Sequence, residues 1–146
     1  MPPPVPPPER KKRTIQEIRD SKTSGEKMVY MSVPDYTSAR WAEMAGVDVA
    51  VVGDSLAMVA HGYPNTIPAT MDMMVLHAAA VRRGAPNTFV LGCMPYQSYN
   101  TVDRALVNAT RFASFWRPRD VVSLDLRKQS SVTYETYISG SRNSRI

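Results

Sequence analysis

One cysteine in 146 residues cannot close a disulfide within the chain. Nothing staples this fold covalently, and a reducing compartment, the cytoplasm, is the expected location. No stretch approaches the roughly 20 uninterrupted apolar residues of a membrane helix. The longest apolar run, Val47 to Val52, is broken by Asp48 and stopped by Gly53 and Asp54, so no membrane partner is expected. Acidic residues are also in deficit, 13 against 18 Lys and Arg, for a net charge of +5. Such a balance suggests a nucleic-acid partner, but its distribution argues against one. Residues 1–13 carry four positive and one negative charge, and residues 116–146 carry six positive and three negative. That leaves eight positive and nine negative for residues 14–115. The basicity belongs to the two ends, and the middle is close to neutral.

Three regions separate by composition. Met1 to Pro8 holds six of the 12 prolines and runs into a basic cluster ending at Arg13. Residues 1–13 are expected to be an extended, disordered lead, and their composition excludes both a signal-peptide core and an amphipathic transit helix. Residues 14–112 alternate helix and strand signals. Thr14 and Glu17 have capping-box spacing, which predicts a short helix from Thr14 to Lys22, broken by Ser24 and Gly25. Lys27 to Val33 reads as a strand, and Tyr36 to Ala45 as a helix with Gly46 as its stop. Val47 to Val52 reads as a strand covered on both faces. After a loop from Gly53 to Pro68, Thr70 caps a helix from Met71 to Arg83, closed by Gly84. Thr88 to Met94 is a third strand and Thr101 to Phe112 a further amphipathic helix. Residues 113–146 lose this rhythm and are expected to be a poorly ordered tail, with Val121 to Leu126 as a possible fourth strand. The repeated order predicts an α/β fold with parallel strands, in three to four β/α units.

The polar residues sit just after strands two and three, where parallel α/β folds place their chemistry. Gly53, Asp54 and Ser55 follow strand two directly. An Asp at a strand end more often caps the next turn than ligates a metal, but here its surroundings shift that weight. Val51 to Met58 reads VVGDSLAM. It is followed by Gly62-Tyr63, Thr66-Ile67-Pro68, Thr70-Met71-Asp72, His77, Ala80-Val81-Arg82-Arg83-Gly84, Met94-Pro95 and Ser98-Tyr99. This run resembles the ketopantoate hydroxymethyltransferase family, with its VGDSLGM, T-[LI]-P-x-T, H-x-x-A-V-x-R-G and A-D-[ML]-P-[FM]-x-[SA]-Y motifs. The likeness extends from about Thr14 to Phe112.

The resemblance implies a metal-dependent (β/α)₈ barrel of the phosphoenolpyruvate mutase and isocitrate lyase superfamily. Such a barrel needs roughly 200 residues or more, so this chain would hold only its N-terminal part. The implied reaction transfers a hydroxymethyl group from 5,10-methylenetetrahydrofolate to the 2-oxo acid 3-methyl-2-oxobutanoate, giving 2-dehydropantoate for pantothenate synthesis. In that reaction a divalent cation stabilises an enolate, and Mg²⁺ favours hard oxygen ligands. Asp54 matches the first metal ligand, and Ser55 matches the hydroxyl that binds the substrate carboxylate.

The sequence also departs from the family. Gly92-Cys93 replaces the Ala-Asp before Met-Pro, so Cys93 stands where the second metal carboxylate is expected, and a thiolate favours Zn²⁺ over Mg²⁺. A small, inert residue at a strand end is the alternative reading of Cys93. In the family's V-K-[LI]-E strand, Ser123 falls at the Lys and Asp125 at the Glu, and the later His and the Glu base have no counterpart. Two readings follow, a hydroxymethyltransferase homologue or a catalytically inactive truncated fragment acting through subunit association. With half a barrel's strand edges open, a homo-oligomer is expected if the chain folds. His61 reads as a surface residue, His77 as a packing or hydrogen-bonding one, the methionines as gap fillers, and Arg82-Arg83 as a complement to the helix dipole.

Overall fold

A computed structural model describes residues 11–113 and 121–123. Four short strands, β1 (Tyr30–Ser32), β2 (Val49–Val52), β3 (Phe89–Cys93) and β4 (Val121–Ser123), pair in parallel in the order β1-β2-β3-β4. Helices α1 (Ile15–Ser24), α2 (Tyr36–Met44), α3 (Leu56–Val59), α4 (Met71–Gly84) and α5 (Val102–Ala113) punctuate them. Each strand pairs with the next in sequence, with no reversal of order. That is the winding of a barrel wall and not of a doubly wound sheet. The fold is therefore the N-terminal part of a (β/α)₈ barrel, with three β/α units and a fourth strand.

The two faces of the sheet follow from period-two alternation. Ala50 and Val52 of β2 and Val90 of β3 join one apolar cluster with Ala39 and Ala42 of α2, Met74, Ala78 and Val81 of α4, and Ala105, Ala109 and Phe112 of α5. The residues between them, Val49 and Val51 on β2 and Phe89, Leu91 and Cys93 on β3, share the opposite face, with Val49 level with Phe89 and Val51 level with Leu91. In a barrel that second face is the interior. Each fully buried Val or Phe contributes about 1.5–3 kcal/mol from its removal from water.

Polar groups tie this layer at its margins. The predicted capping box at α1 is present: Glu17 N–H donates to Thr14 Oγ1 at 3.2 Å, and Thr14 N–H donates to Glu17 Oε2 at 2.6 Å. Arg13, which composition placed in the lead, is bound into the fold, donating to Glu26 Oε1 at 2.7 Å and to Asp48 Oδ1 at 3.1 Å. Asp48 also accepts from Val29 N–H at 2.9 Å. The charge that interrupts the apolar run thus joins the approach to β1, the start of β2 and the start of α1.

Several expectations change. β1 is shorter than Lys27–Val33, and all three of its residues are exposed, as suits an edge strand. The Gly53–Pro68 loop contains the single helical turn α3, too short to show a helical period. The expected fourth strand is described only as Val121–Ser123, and residues 124–126 lie outside the described residues, as do residues 1–10 of the lead and the remainder of the tail. Arg82 lies in the last turn of α4 as expected, and it has a further role. It is 7% exposed and donates to the carbonyls of Thr88 and Ala85. Gly84 is not a left-handed stop but the last residue of α4. A Cβ there would lie 2.5 Å from the Tyr36 carbonyl oxygen and 3.0 Å from Ala39 Cβ, so glycine is required by the close approach of α4 to α2.

Two outcomes test these packing and capping assignments. Gly84→Ala should destabilise the chain by about 1–3 kcal/mol, the usual range for overpacking, read from the denaturation midpoint. The Glu17 carboxyl is pulled down to about 2, first by the Thr14 N–H, then by the Thr14 hydroxyl and by Lys11. A lowered folded-state value stabilises above the unfolded value near 4.5 and is lost as pH falls towards 2. The Thr14 amide resonance should therefore titrate across that window, and should cease to do so in Glu17→Gln.

Candidate active site

The carboxyl ends of β1, β2 and β3 lie side by side, and each is followed by a turn rich in polar residues. After β1, Asp35 caps α2: its Oδ1 accepts from Ser38 N–H at 2.8 Å and from Ser38 Oγ at 3.1 Å. The Ser38 N–H is the main reason the Asp35 carboxyl is held below its ordinary value, with smaller help from the Ser38 hydroxyl, the Thr37 N–H and the charge of His77. Asp35 is committed to its helix.

The turn after β2 is arranged differently. Leu56 N–H donates to the Gly53 carbonyl at 3.0 Å, and Ala57 N–H donates to the Asp54 carbonyl at 3.1 Å. Gly53, Asp54 and Ser55 thus form the tight entrance to α3, and Asp54 and Ser55 are half-buried. Ser55 occupies the cap position, yet its side chain makes no capping bond. Its Oγ lies 3.0 Å from where a Cβ on residue 53 would stand. The glycine of Gly-Asp-Ser makes room for that hydroxyl, and the hydroxyl is not used to close the helix.

Cys93 ends β3, half-buried and outside any disulfide. Gly92 is level with Val52, and Cys93 is level with Ser123 of β4. Cys93 therefore lies one row beyond the last β2–β3 pair, beside the start of the Gly53-Asp54-Ser55 turn, on the barrel-interior face. The fold brings the three predicted site residues to the same end of the sheet. It does not surround them with further ligands: among the described residues no group of three or more His, Cys, Asp or Glu side chains could hold a metal ion. One carboxylate and one thiol do not match the all-oxygen preference of Mg²⁺. Asp125 lies outside the described residues.

Other motif residues are structural. Thr70 caps α4, its Oγ1 accepting from Met73 N–H at 3.2 Å. Tyr99 is fully buried, and Ser98 donates through Oγ to the Pro95 carbonyl at 2.7 Å. Gln97, between them and Pro95, has φ of 61°, a left-handed backbone that costs a non-glycine residue about 1–2 kcal/mol. Such strain in a strand-end loop is commonly retained at functional sites. Sequence reasoning also missed Glu43. This buried carboxylate accepts from Asn87 N–H at 3.0 Å and from the Thr88 hydroxyl, and its helical position carried no signal of the turn it supports. His61 and His77 meet each other, with their Nε2 atoms 2.9 Å apart.

The sheet winding defines part of a β/α barrel. A similar fold occurs in 2,3-dimethylmalate lyase, a PEP mutase/isocitrate lyase superfamily member, with a TM-score of 0.59, 20% identity, and coverage of 84% of this chain and 44% of that one. The ketopantoate hydroxymethyltransferase family profile matches residues 12–129, and the chain belongs to that family. It is 87% identical over 106 residues to 3-methyl-2-oxobutanoate hydroxymethyltransferase 1 of Methylibium petroleiphilum, covering 73% of this chain and 36% of that protein. With the enzyme of the same description from Thermus thermophilus it shares 50% identity over 100 residues, 68% of this chain and 38% of the other. The chain thus spans little more than a third of the length of these curated relatives.

The contrast between the two cap positions is measurable. Thr70→Ala should cost about 1 kcal/mol, as a lost N-cap does, while Ser55→Ala should change stability by less than about 0.5 kcal/mol. Thermal unfolding of the two variants provides the comparison.

Proposed function

We propose that this chain supplies part of a 3-methyl-2-oxobutanoate hydroxymethyltransferase active site. Ser55 would bind the carboxylate of the 2-oxo acid, and Asp54 and Cys93 would face the divalent ion. The single observation that carries the reading is the Ser55 hydroxyl, placed beside Asp54 at the end of β2 and withheld from capping by the local backbone. The net reaction forms a bond between the β-carbon of the 2-oxo acid and the methylene carbon of 5,10-methylenetetrahydrofolate. Water is consumed, and 2-dehydropantoate and tetrahydrofolate are released.

Within this scheme Ser55 Oγ–H donates to a substrate carboxylate oxygen, a charge-assisted bond worth about 1.5–3 kcal/mol. It orients the acid so that its β-carbon faces the folate. Gly53 keeps the approach to that hydroxyl open, and α3 fixes the turn from behind through buried Leu56 and Ala57. A carboxylate–thiolate pair suits a softer ion such as Zn²⁺ better than the expected Mg²⁺.

A second reading, in which the chain is catalytically silent and acts by subunit association, draws on the open edge of β1, where Tyr30 is 52% exposed and the preceding Val29 58%. Purified full-length chain supplied with 3-methyl-2-oxobutanoate, 5,10-methylenetetrahydrofolate and either Mg²⁺ or Zn²⁺ separates the two. The first reading expects 2-dehydropantoate formation that Asp54→Ala abolishes. It also expects a Ser55→Ala variant with affinity for the 2-oxo acid weakened by at least about tenfold. Absence of product with both ions, together with a concentration-dependent mass in light scattering, would establish the second.

A further inference from the structure

The chain has two histidines, and the fold brings them together from 16 positions apart. His61 comes from the exposed stretch after α3, and His77 from the second turn of α4. Their Nε2 atoms stand 2.9 Å apart, and their rings meet edge to face with centroids 5.1 Å apart. On the far side of its ring, His77 Nδ1 is hydrogen-bonded to the Pro34 carbonyl. A carbonyl oxygen only accepts, so Nδ1 must carry the proton. In the neutral ring the lone pair is then on Nε2, directed at His61.

We infer that His61 and His77 form a two-nitrogen site for a borderline first-row ion such as Zn²⁺, separate from Asp54 and Cys93. Two features support it. First, a single proton, that of His61, lies between the two Nε2 atoms in the neutral pair; when His61 moves it to its own Nδ1, both rings stay neutral and both Nε2 lone pairs can take one cation. Zinc–imidazole bonds of about 2.0–2.1 Å place two nitrogens of a tetrahedral ion roughly 3.3 Å apart, so the pair needs to open by only a few tenths of an ångström. His61 is exposed and can turn to do this. Second, the Pro34 carbonyl on His77 Nδ1 is the outer contact that ligating histidines ordinarily make, which fixes the tautomer and raises the basicity of the ligating nitrogen. The nearby Asp35 carboxylate, whose charge interacts with His77, adds a potential that favours a cation. It remains engaged by Ser38, so water completes the coordination.

Bound there, the ion would clip the segment following α3 onto α4 and, through His77 and Pro34, onto the β1–α2 turn. The clip joins the loops after β1 and β2, the second of which begins with Gly53, Asp54 and Ser55. This inference does not depend on the proposed reaction, and its test needs no turnover.

The test is titration of the full chain with Co²⁺, read by visible absorption and confirmed by displacement with Zn²⁺. The site predicts one equivalent of Co²⁺ with a four-coordinate nitrogen/oxygen spectrum, distinct from the thiolate charge-transfer band that an ion at Asp54 and Cys93 would show. Cys93→Ser should leave this signal intact. His61→Gln, an exposed change that spares the fold, should weaken binding by more than about tenfold. His77→Gln, which keeps a donor for Pro34, should do the same, since even outer-contact losses cost 10–100-fold. Retention of the nitrogen/oxygen signal in His61→Gln, its loss in Cys93→Ser, or the absence of any such signal at one equivalent would each overturn the assignment and leave the pair as a hydrogen bond alone.

Discussion

At Gly84 the backbone of α4 passes so close to the first turn of α2 that a single methyl group would not fit, 2.5 Å from the Tyr36 carbonyl. Much of the structure depends on that approach. It lets the small residues Ala39 and Ala42 of α2 share a buried cluster with Ala78 and Val81 of α4, over Ala50, Val52 and Val90 of the sheet. It also sets the reach of two long-range polar contacts between the same layers. Glu43 on α2 arrives at the turn before β3, and His77 on α4 arrives at the carbonyl that precedes α2.

With α2 and α4 held over one face, the opposite face and the carboxyl ends of the strands are left for chemistry. Gly53 has a comparable role on a smaller scale. The absence of its Cβ admits the Ser55 hydroxyl, and α3 begins without using it. Cys93 enters the same region because parallel pairing is in register, with Gly92 opposite Val52. A one-residue slip would turn Cys93 to the helix side. The site is thus a consequence of register and of two glycines placed where backbones and side chains crowd, each by a different mechanism.

Much of this was legible in the chain. The largely β-branched run Val47–Val52, the Thr14–Glu17 spacing and the Thr70 cap became β2 (Val49–Val52), the α1 capping box and the α4 cap, because each rests on contacts within a few residues. The Gly-Asp-Ser motif was legible as a strand-end turn for the same reason. Gly84 was misread because its local pattern is that of a helix stop, whereas its cause lies on another helix. Arg82 does stand in the last turn as expected, but its bonds to the Thr88 and Ala85 carbonyls were not legible, since a basic residue there complements the dipole whether or not it is buried. Glu43 was silent, being one more acidic residue on an amphipathic helix.

By itself the sequence determined the order of strands and helices, their caps and the residue types offered at each strand end, since these depend on backbone propensity and on neighbours three or four positions away. Tertiary structure decided which of those residues meet. It set Asp54, Ser55 and Cys93 at one end of the sheet, bound Arg13 to Glu26 and Asp48, and brought His61 against His77. Contacts across such separations follow from strand register and helix spacing, which are properties of the packed layers and not of any local stretch of chain.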